Sequence, residues 1–275
     1  MKFYDGKRVF ITGGSSGIGK AAAIMAARAG ASVVVAARHQ GRLDDAVAEM
    51  KRAGPSNRVY GSVSVDVCDR DAVAEAAREA LAQLGGLDVL IVNQGYALTG
   101  YIQDMPDEAF DEMIDVNFRG HVNVTRAFLP HFIEQRGGHI CLVSSMLGFF
   151  GFFGYSAYAA SKHAIAGFAR CLRNELVPHG VKVTLVYPPT TDTPGLEKEN
   201  QDKPPETWAI EGNSTCFSPE EVAASMLKGV AKGRFEVVPG FSSWAIWLAH
   251  RIAPSVTEWF IDQDLLRFTR KRAKS

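Results

Sequence analysis

Two side chains four residues apart offer acid/base chemistry. In Tyr158-Ala159-Ala160-Ser161-Lys162 the phenol and the ammonium stand at i and i+4, a spacing that puts both on one face of a helix. A free tyrosine ionises near pH 10, too high for a base at neutral pH. A nearby lysine cation favours the phenolate and lowers that value. A phenol so placed can protonate a developing alkoxide or deprotonate an alcohol. Ser145 closes the apolar run ending Val143-Ser144-Ser145. Its hydroxyl could hold the reacting oxygen and stabilise the charge that develops there. Ser144, one step back along a strand, would face the other way. Tyr155 is the competing phenol, but alanine rather than lysine stands four residues on.

A second constellation opens the chain. Thr12-Gly13-Gly14-Ser15-Ser16-Gly17-Ile18-Gly19 joins an apolar run to an Ala-rich stretch. Gly13, Gly17 and Gly19 let the backbone turn sharply and approach a pyrophosphate. The helix behind them would offer free N–H groups and its positive dipole end. Ser15, Ser16 and Ile18 share that turn. The next apolar run ends Ala36-Ala37-Arg38. A carboxylate at such an end accepts from a ribose 2′-OH and repels a 2′-phosphate. Neutral Ala37 beside the Arg38 guanidinium suits the phosphate instead, so NADP(H) is the expected cofactor. Lys20, His39 and Arg42 could add positive charge, and the bland alternative is that Arg38 is a solvated surface residue.

These residues need a scaffold that gathers them. Apolar, β-branched runs at 8–12, 32–37, 59–66, 87–93, 139–145, 181–187 and 235–239 read as strands buried on both faces. Helical stretches near 17–29, 42–53, 69–84, 107–135, 156–177 and 218–232 separate them. The alternation predicts one Rossmann-type, doubly wound α/β domain over 1–240, with about seven parallel strands and helices on both faces. A tail over 241–275 follows, expected to be helical and amphipathic. With 275 residues and 47% hydrophobic content, the chain suits one large domain.

The glycine pattern TGxxxGxG, the YxxxK pair, and Ser145 thirteen residues before Tyr158 in an SxxG context together resemble the short-chain dehydrogenase/reductase family over roughly residues 6–240. The resemblance implies hydride transfer between a nicotinamide and a carbonyl or alcohol carbon. It makes Tyr158 the acid/base, Ser145 the holder of the substrate oxygen, and Lys162 a partner of the nicotinamide ribose as well. It implies that Asp66 and Val67 meet the adenine. It puts Asn93 and Gly95 beside the cofactor, with Asn93 equally readable as a tie between strand ends. Gln94 departs from the family's Asn-Ala-Gly. Asn117, inside the predicted helix 107–135, is implied to hold a water that links Lys162 to solvent; a polar kink is the alternative. Pro188 and Thr193 belong to the family's nicotinamide turn, where Pro189 replaces a glycine.

The variable parts narrow the substrate. Tyr187 to Gly195, Glu199-Asn200, Lys203-Pro204, Glu206-Thr207 and the Phe149-Phe150-Gly151-Phe152-Phe153-Gly154 run are similar to the 3-ketodihydrosphingosine reductase subgroup. That implies NADPH-dependent reduction of 3-ketosphinganine to sphinganine. Four phenylalanines beside the reactive residues suit an alkyl chain, or plain core packing. A ketoreductase for another lipid, steroid or small carbonyl compound is the alternative, and a non-catalytic NADP(H)-binding module the remote one. The segment 188–217 reads as the substrate loop. In the tail, Trp244, Trp247, Leu248 and Ile252 fall on one helical face. With the basic end at Arg267, Arg270, Lys271, Arg272 and Lys274, that face could meet a membrane surface, act as a lid, or pack between subunits. The family's long helices imply a homo-oligomer, a dimer or tetramer.

Charge is balanced at 30 basic and 30 acidic residues, which speaks against nucleic acid as a partner. Cys68, Cys141, Cys171 and Cys216 lack metal spacing, so no metal site is expected and all four read as buried thiols in a reducing compartment. The N-terminal residues lack the apolar core of a signal peptide, and no run is long enough to span a bilayer. The expected location is the cytoplasm, with membrane association left open through the tail.

Overall fold

The structure, a computed structural model, describes residues 1–212 and 214–272. Lys274, counted with the basic end of the tail, lies outside them. The apolar runs form β1 (Arg8–Thr12), β2 (Ser32–Ala37), β3 (Tyr60–Ser64), β4 (Val89–Val92), β5 (Gly138–Val143), β6 (Val181–Val186) and β7 (Glu236–Val237). Between and after them run α1 (Gly17–Arg28), α2 (Gln40–Ala53), α3 (Arg70–Leu84), α4 (Asp107–Ile114), α5 (Gly120–Gln135), α6 (Ser156–Leu176), α7 (Pro194–Glu199), α8 (Pro205–Glu211), α9 (Pro219–Ala231), α10 (Phe241–Ile252) and α11 (Pro254–Arg272).

All seven strands are parallel, in the order β3-β2-β1-β4-β5-β6-β7. Parallel strands need crossover helices, and these cover both faces. One core joins the sheet to α3, α5 and α6 through residues such as Val73, Val124 and Ile165. The other joins it to α1, α2 and α9 through Ala22, Leu43 and Met226. Helix ends follow local signals. The Asp69 side chain accepts from the N–H groups of Asp71 and Ala72 to start α3, and Gly85 ends it at φ 67°. Ser218 and Glu221 form a reciprocal capping box at α9. The strand order reverses between β1 and β4, and the crevice at such a switch point is where doubly wound sheets bind ligands.

Three expectations are corrected. The predicted helix 107–135 is interrupted by a π-helical turn, Asp115–Arg119, so Asn117 sits in a bulge between α4 and α5. Of the four cysteines only Cys141 is buried; Cys68, Cys171 and Cys216 are exposed. The tail is helical as predicted, but Trp244 and Ile252 face outward at 42% and 77% exposure while Trp247 packs against the core. Among the described residues no helix is long and apolar enough to cross a membrane.

Candidate active site

The glycine turn is shaped by its neighbours. A Cβ on Gly19 would lie 2.3 Å from the Gly13 carbonyl oxygen and 2.6 Å from Asn93 Nδ2, so no larger residue fits without moving the turn. Asn93 ties the end of β4 to that turn: its N–H donates to Thr12 Oγ1 at 3.1 Å and its Nδ2 to the Gly13 carbonyl at 3.3 Å. Ser16 occupies the N-cap of α1, yet its side chain caps nothing. The first turn of α1 at Gly17, Ile18 and Gly19 thus has no side-chain cap, and with the helix dipole such a terminus suits an anion. Gly17 has φ 51°, and its Cα side abuts Thr193 Cγ2. Thr193, which caps α7 by accepting from Leu196 N–H, thus stands across from the glycine turn. This cradle fits a dinucleotide pyrophosphate.

Arg38 is exposed just beyond β2, with Ser15 and Ser16 half-buried on the neighbouring turn. Lys20 is not a free charge there, because it pairs with Glu49 at 2.7 Å. At the end of β3, the Asp66 carboxylate accepts from Cys68 N–H at 2.9 Å. Val67 is buried, and Asn123 on α5 donates to its carbonyl at 3.0 Å. Gln94, the departure from the family pattern, has a structural reason. It hydrogen-bonds Thr12 on β1, and its Nε2 donates to His121 Nδ1 on α5 at 3.1 Å. Nothing in local sequence points to His121, which burial, reinforced by the Lys162 charge, holds neutral with a pKa near 3.

At the C-terminal ends of β4 and β5, Ser145, Tyr158 and Lys162 line one cavity of about 710 Å³, together with Ile18, Asn93, Gly95, Pro188 and Thr193. Tyr158 and Lys162 project from the first turns of α6, with Lys162 Nζ 5.5 Å from the Tyr158 ring centre. Lys162 is buried and donates to the Val143 carbonyl at 3.3 Å. Ser144, which also borders the cavity, has its hydroxyl engaged and donates to the Lys162 carbonyl at 2.8 Å. Asn117, with no exposed surface, accepts from Tyr96 N–H at 3.0 Å and donates to the Tyr96 carbonyl and to Ser161 Oγ. Gly95 lets Asn117 and Lys162 approach each other: a Cβ on it would lie 2.9 Å from Asn117 Oδ1 and 3.1 Å from Lys162 Nζ.

The electrostatics revise one expectation. Within the protein alone the Tyr158 phenol is pushed above its ordinary value, chiefly by burial; the Ser145 hydrogen bond pulls it down, and the Glu199 charge adds to the rise. Burial lowers Lys162 to about 7. Tyr158 is therefore protonated at neutral pH, the form from which a proton can be given.

The rest of the cavity comes from late segments. Only Phe150 and Phe152 of the four phenylalanines line it. Phe149 packs on Tyr187 and His250, and Phe153 on Tyr101. The tail walls the far side through Ile246, Ala249, Val256 and Phe260, and Arg272 pairs with Glu206 on α8 at 3.1 Å. Tyr155, the competing phenol, also lines the cavity, its ring 6.0 Å from that of Tyr158. With it stand Glu199, Glu211 and Thr190.

A family model described as short chain dehydrogenase matches residues 7–204. A 3-ketodihydrosphingosine reductase of Bos taurus is 39% identical over 84% of this chain and 70% of its own length. A 3-dehydrosphinganine reductase of Arabidopsis thaliana is 38% identical over 92% and 76%. A crystal structure of a short-chain dehydrogenase/reductase from Burkholderia phymatum in complex with NAD superposes with a TM-score of 0.81 at 25% identity, covering 94% of this chain and 96% of that one. Fold, glycine turn and the meeting of Ser145, Tyr158 and Lys162 agree with that likeness, and the chain belongs to the short-chain dehydrogenase/reductase family, as an oxidoreductase acting on the CH–OH/C=O pair.

Proposed function

We propose that the chain reduces the ketone of 3-ketosphinganine to the alcohol, with NADPH as the reductant. The observation that carries this is the cavity itself. A protonated phenol and a serine hydroxyl stand at one wall, and an apolar chamber formed by Phe150, Phe152 and the tail extends from them. The chamber can bury an alkyl chain while the polar end meets the phenol. The relatives named above reduce, by their names, a ketone of this kind.

The glycine turn and the open first turn of α1 would hold the pyrophosphate, Asp66 and Val67 the adenine, and Arg38 the 2′-phosphate. Lys162 would meet the nicotinamide ribose, with Asn93 and Gly95 lining the cofactor side of the cavity and Pro188 and Thr193 available to the nicotinamide. When bound, the reduced nicotinamide supplies a hydride to the carbonyl carbon. Ser145 donates to the carbonyl oxygen and stabilises its growing charge. Tyr158 gives that oxygen its proton. Lys162, with a pKa near neutrality, favours the resulting phenolate when charged. Asn117 fixes the Tyr96 backbone next to Lys162 and keeps a route for reprotonation by water.

The test is NADPH oxidation by the purified chain with 3-ketosphinganine, a panel of unrelated ketones, and NADH as control. Selective turnover of the sphingoid ketone is expected, and turnover of other ketones alone refutes the substrate. Tyr158→Phe should abolish turnover while NADPH still binds. Arg38→Ala should lower kcat/KM for NADPH roughly 10–100-fold, the worth of a charge-assisted hydrogen bond, and spare the NADH rate. Equal loss with both cofactors would remove Arg38 from the phosphate.

A further inference from the structure

The cavity wall next to Tyr158 carries more charge than the reduction needs. The Tyr155 hydroxyl, with its single proton, lies within hydrogen-bond distance of both Glu199 and, at 3.2 Å, Glu211. Lys203, its side chain 1% exposed, pairs with Glu199 at 3.1 Å and with Glu211 at 2.6 Å. Thr190 donates to the other oxygen of Glu211 at 3.1 Å. Both carboxylates line the same cavity as the catalytic pair. Two carboxylates against one ammonium leave a net charge of −1 in a largely buried place, and such an imbalance is costly unless a cation joins it.

The lysine cannot serve twice. It is enclosed, and both its carboxylate partners are accounted for. Among the described residues the second oxygen of Glu199 accepts no hydrogen bond, and Glu199 faces the cavity. Burial holds the Glu199 carboxyl above its usual range even though Tyr155 and Lys203 pull it down, as expected for a group short of positive charge. Glu199 shares its cavity with Tyr158, and the ring of Tyr155, whose hydroxyl contacts Glu199, lies 6.0 Å from the Tyr158 ring.

We propose that Glu199 and Glu211, held in place by Tyr155 and Lys203, form an ammonium subsite that selects ketones bearing a protonated primary amine beside the carbonyl. This rests on the reading of the chain as a reductase of 3-ketosphinganine, whose amine adjoins its ketone, and it assigns the residues that read that amine. A neutral ketone of the same chain length leaves the carboxylates without their cation. The amine-bearing ketone supplies it and is oriented with its carbonyl toward Ser145 and Tyr158. A hydrogen bond between charged groups is worth roughly 10–100-fold in affinity.

The experiment compares kcat/KM of the full chain with NADPH for 3-ketosphinganine and for 1-hydroxyoctadecan-3-one, which lacks only the amine. Wild type is expected to prefer the amine at least about tenfold. Glu199→Gln and Glu211→Gln should each bring that ratio below about threefold. Glu197→Gln, an exposed carboxylate on the same helix, should keep it. The wild-type ratio decides even where a variant folds poorly. Equal use of both ketones by wild type overturns the subsite and leaves the reductase reading standing. A preference that survives both glutamine variants does the same. Turnover of neither ketone overturns both.

Discussion

Replacing Gly95 with alanine should damage catalysis and stability together. A Cβ there would stand 2.9 Å from Asn117 Oδ1 and 3.1 Å from Lys162 Nζ. Ordinary contacts begin near 3.5 Å, so each neighbour must retreat by a few tenths of an ångström. Neither is free to. Asn117 is held by hydrogen bonds of 3.0, 2.9 and 3.1 Å, and Lys162 is buried against the Val143 carbonyl. Overpacking of this kind costs about 1–3 kcal/mol. A displacement of about 1 Å near reacting groups can cost about 10²-fold in rate, so half of that predicts roughly tenfold. Urea unfolding and kcat at saturating NADPH read the two effects, with Gly100→Ala as the control because nothing lies within 4 Å of a Cβ there. Wild-type kcat and stability in Gly95→Ala would refute the claim that this glycine is what lets Asn117 and Lys162 meet.

Acid should destabilise the fold through two buried histidines. His121 is lowered to about 3 by burial and the Lys162 charge, and His139 to about 4 by burial and the Lys182 charge. In the unfolded chain both take up a proton near pH 6.5. Between these values the unfolded state binds more protons, so stability falls as the pH drops from 7 to 5, by about 2 kcal/mol per histidine. Urea midpoints at the two pH values measure the fall, and His139→Gln should remove about half of it; an undiminished fall in that variant would clear His139. Gly167, exposed within α6 and with nothing within 4 Å of a Cβ, should accept alanine with a gain of about 0.5–1 kcal/mol in helix stability. A lower melting temperature for Gly167→Ala would contradict the open space seen there.

The glycine turn and the Tyr158–Lys162 pair are legible because their signals are local. The turn from Gly13 to Gly19 lies between β1 and α1 in both sequence and space, and the Tyr158–Lys162 pair needs only a helix. Gln94 was legible only as a departure, since its partners Thr12 and His121 lie 82 and 27 residues away. At Asn117 the sequence offers a polar kink only as an alternative, because a helical pattern runs unbroken through it, while what the bulge serves is the backbone of Tyr96, 21 residues back.

Tyr155 shows the limit most sharply. It has alanine, not lysine, four residues on at position 159. Its lysine is Lys203, brought by the segment after β6, and its carboxylates are 44 and 56 residues away. Spacing rules compare a residue with its own helix, whereas this phenol is tuned by a different one. The consequence concerns specificity. The residues proposed to hold the dinucleotide are all in place by the end of α6, except for Pro188 and Thr193. The walls facing the substrate come chiefly from the Phe150–Phe152 turn, from 188–217 and from α10 and α11. Exchanging those later segments between relatives should therefore move substrate preference and leave cofactor preference with Arg38.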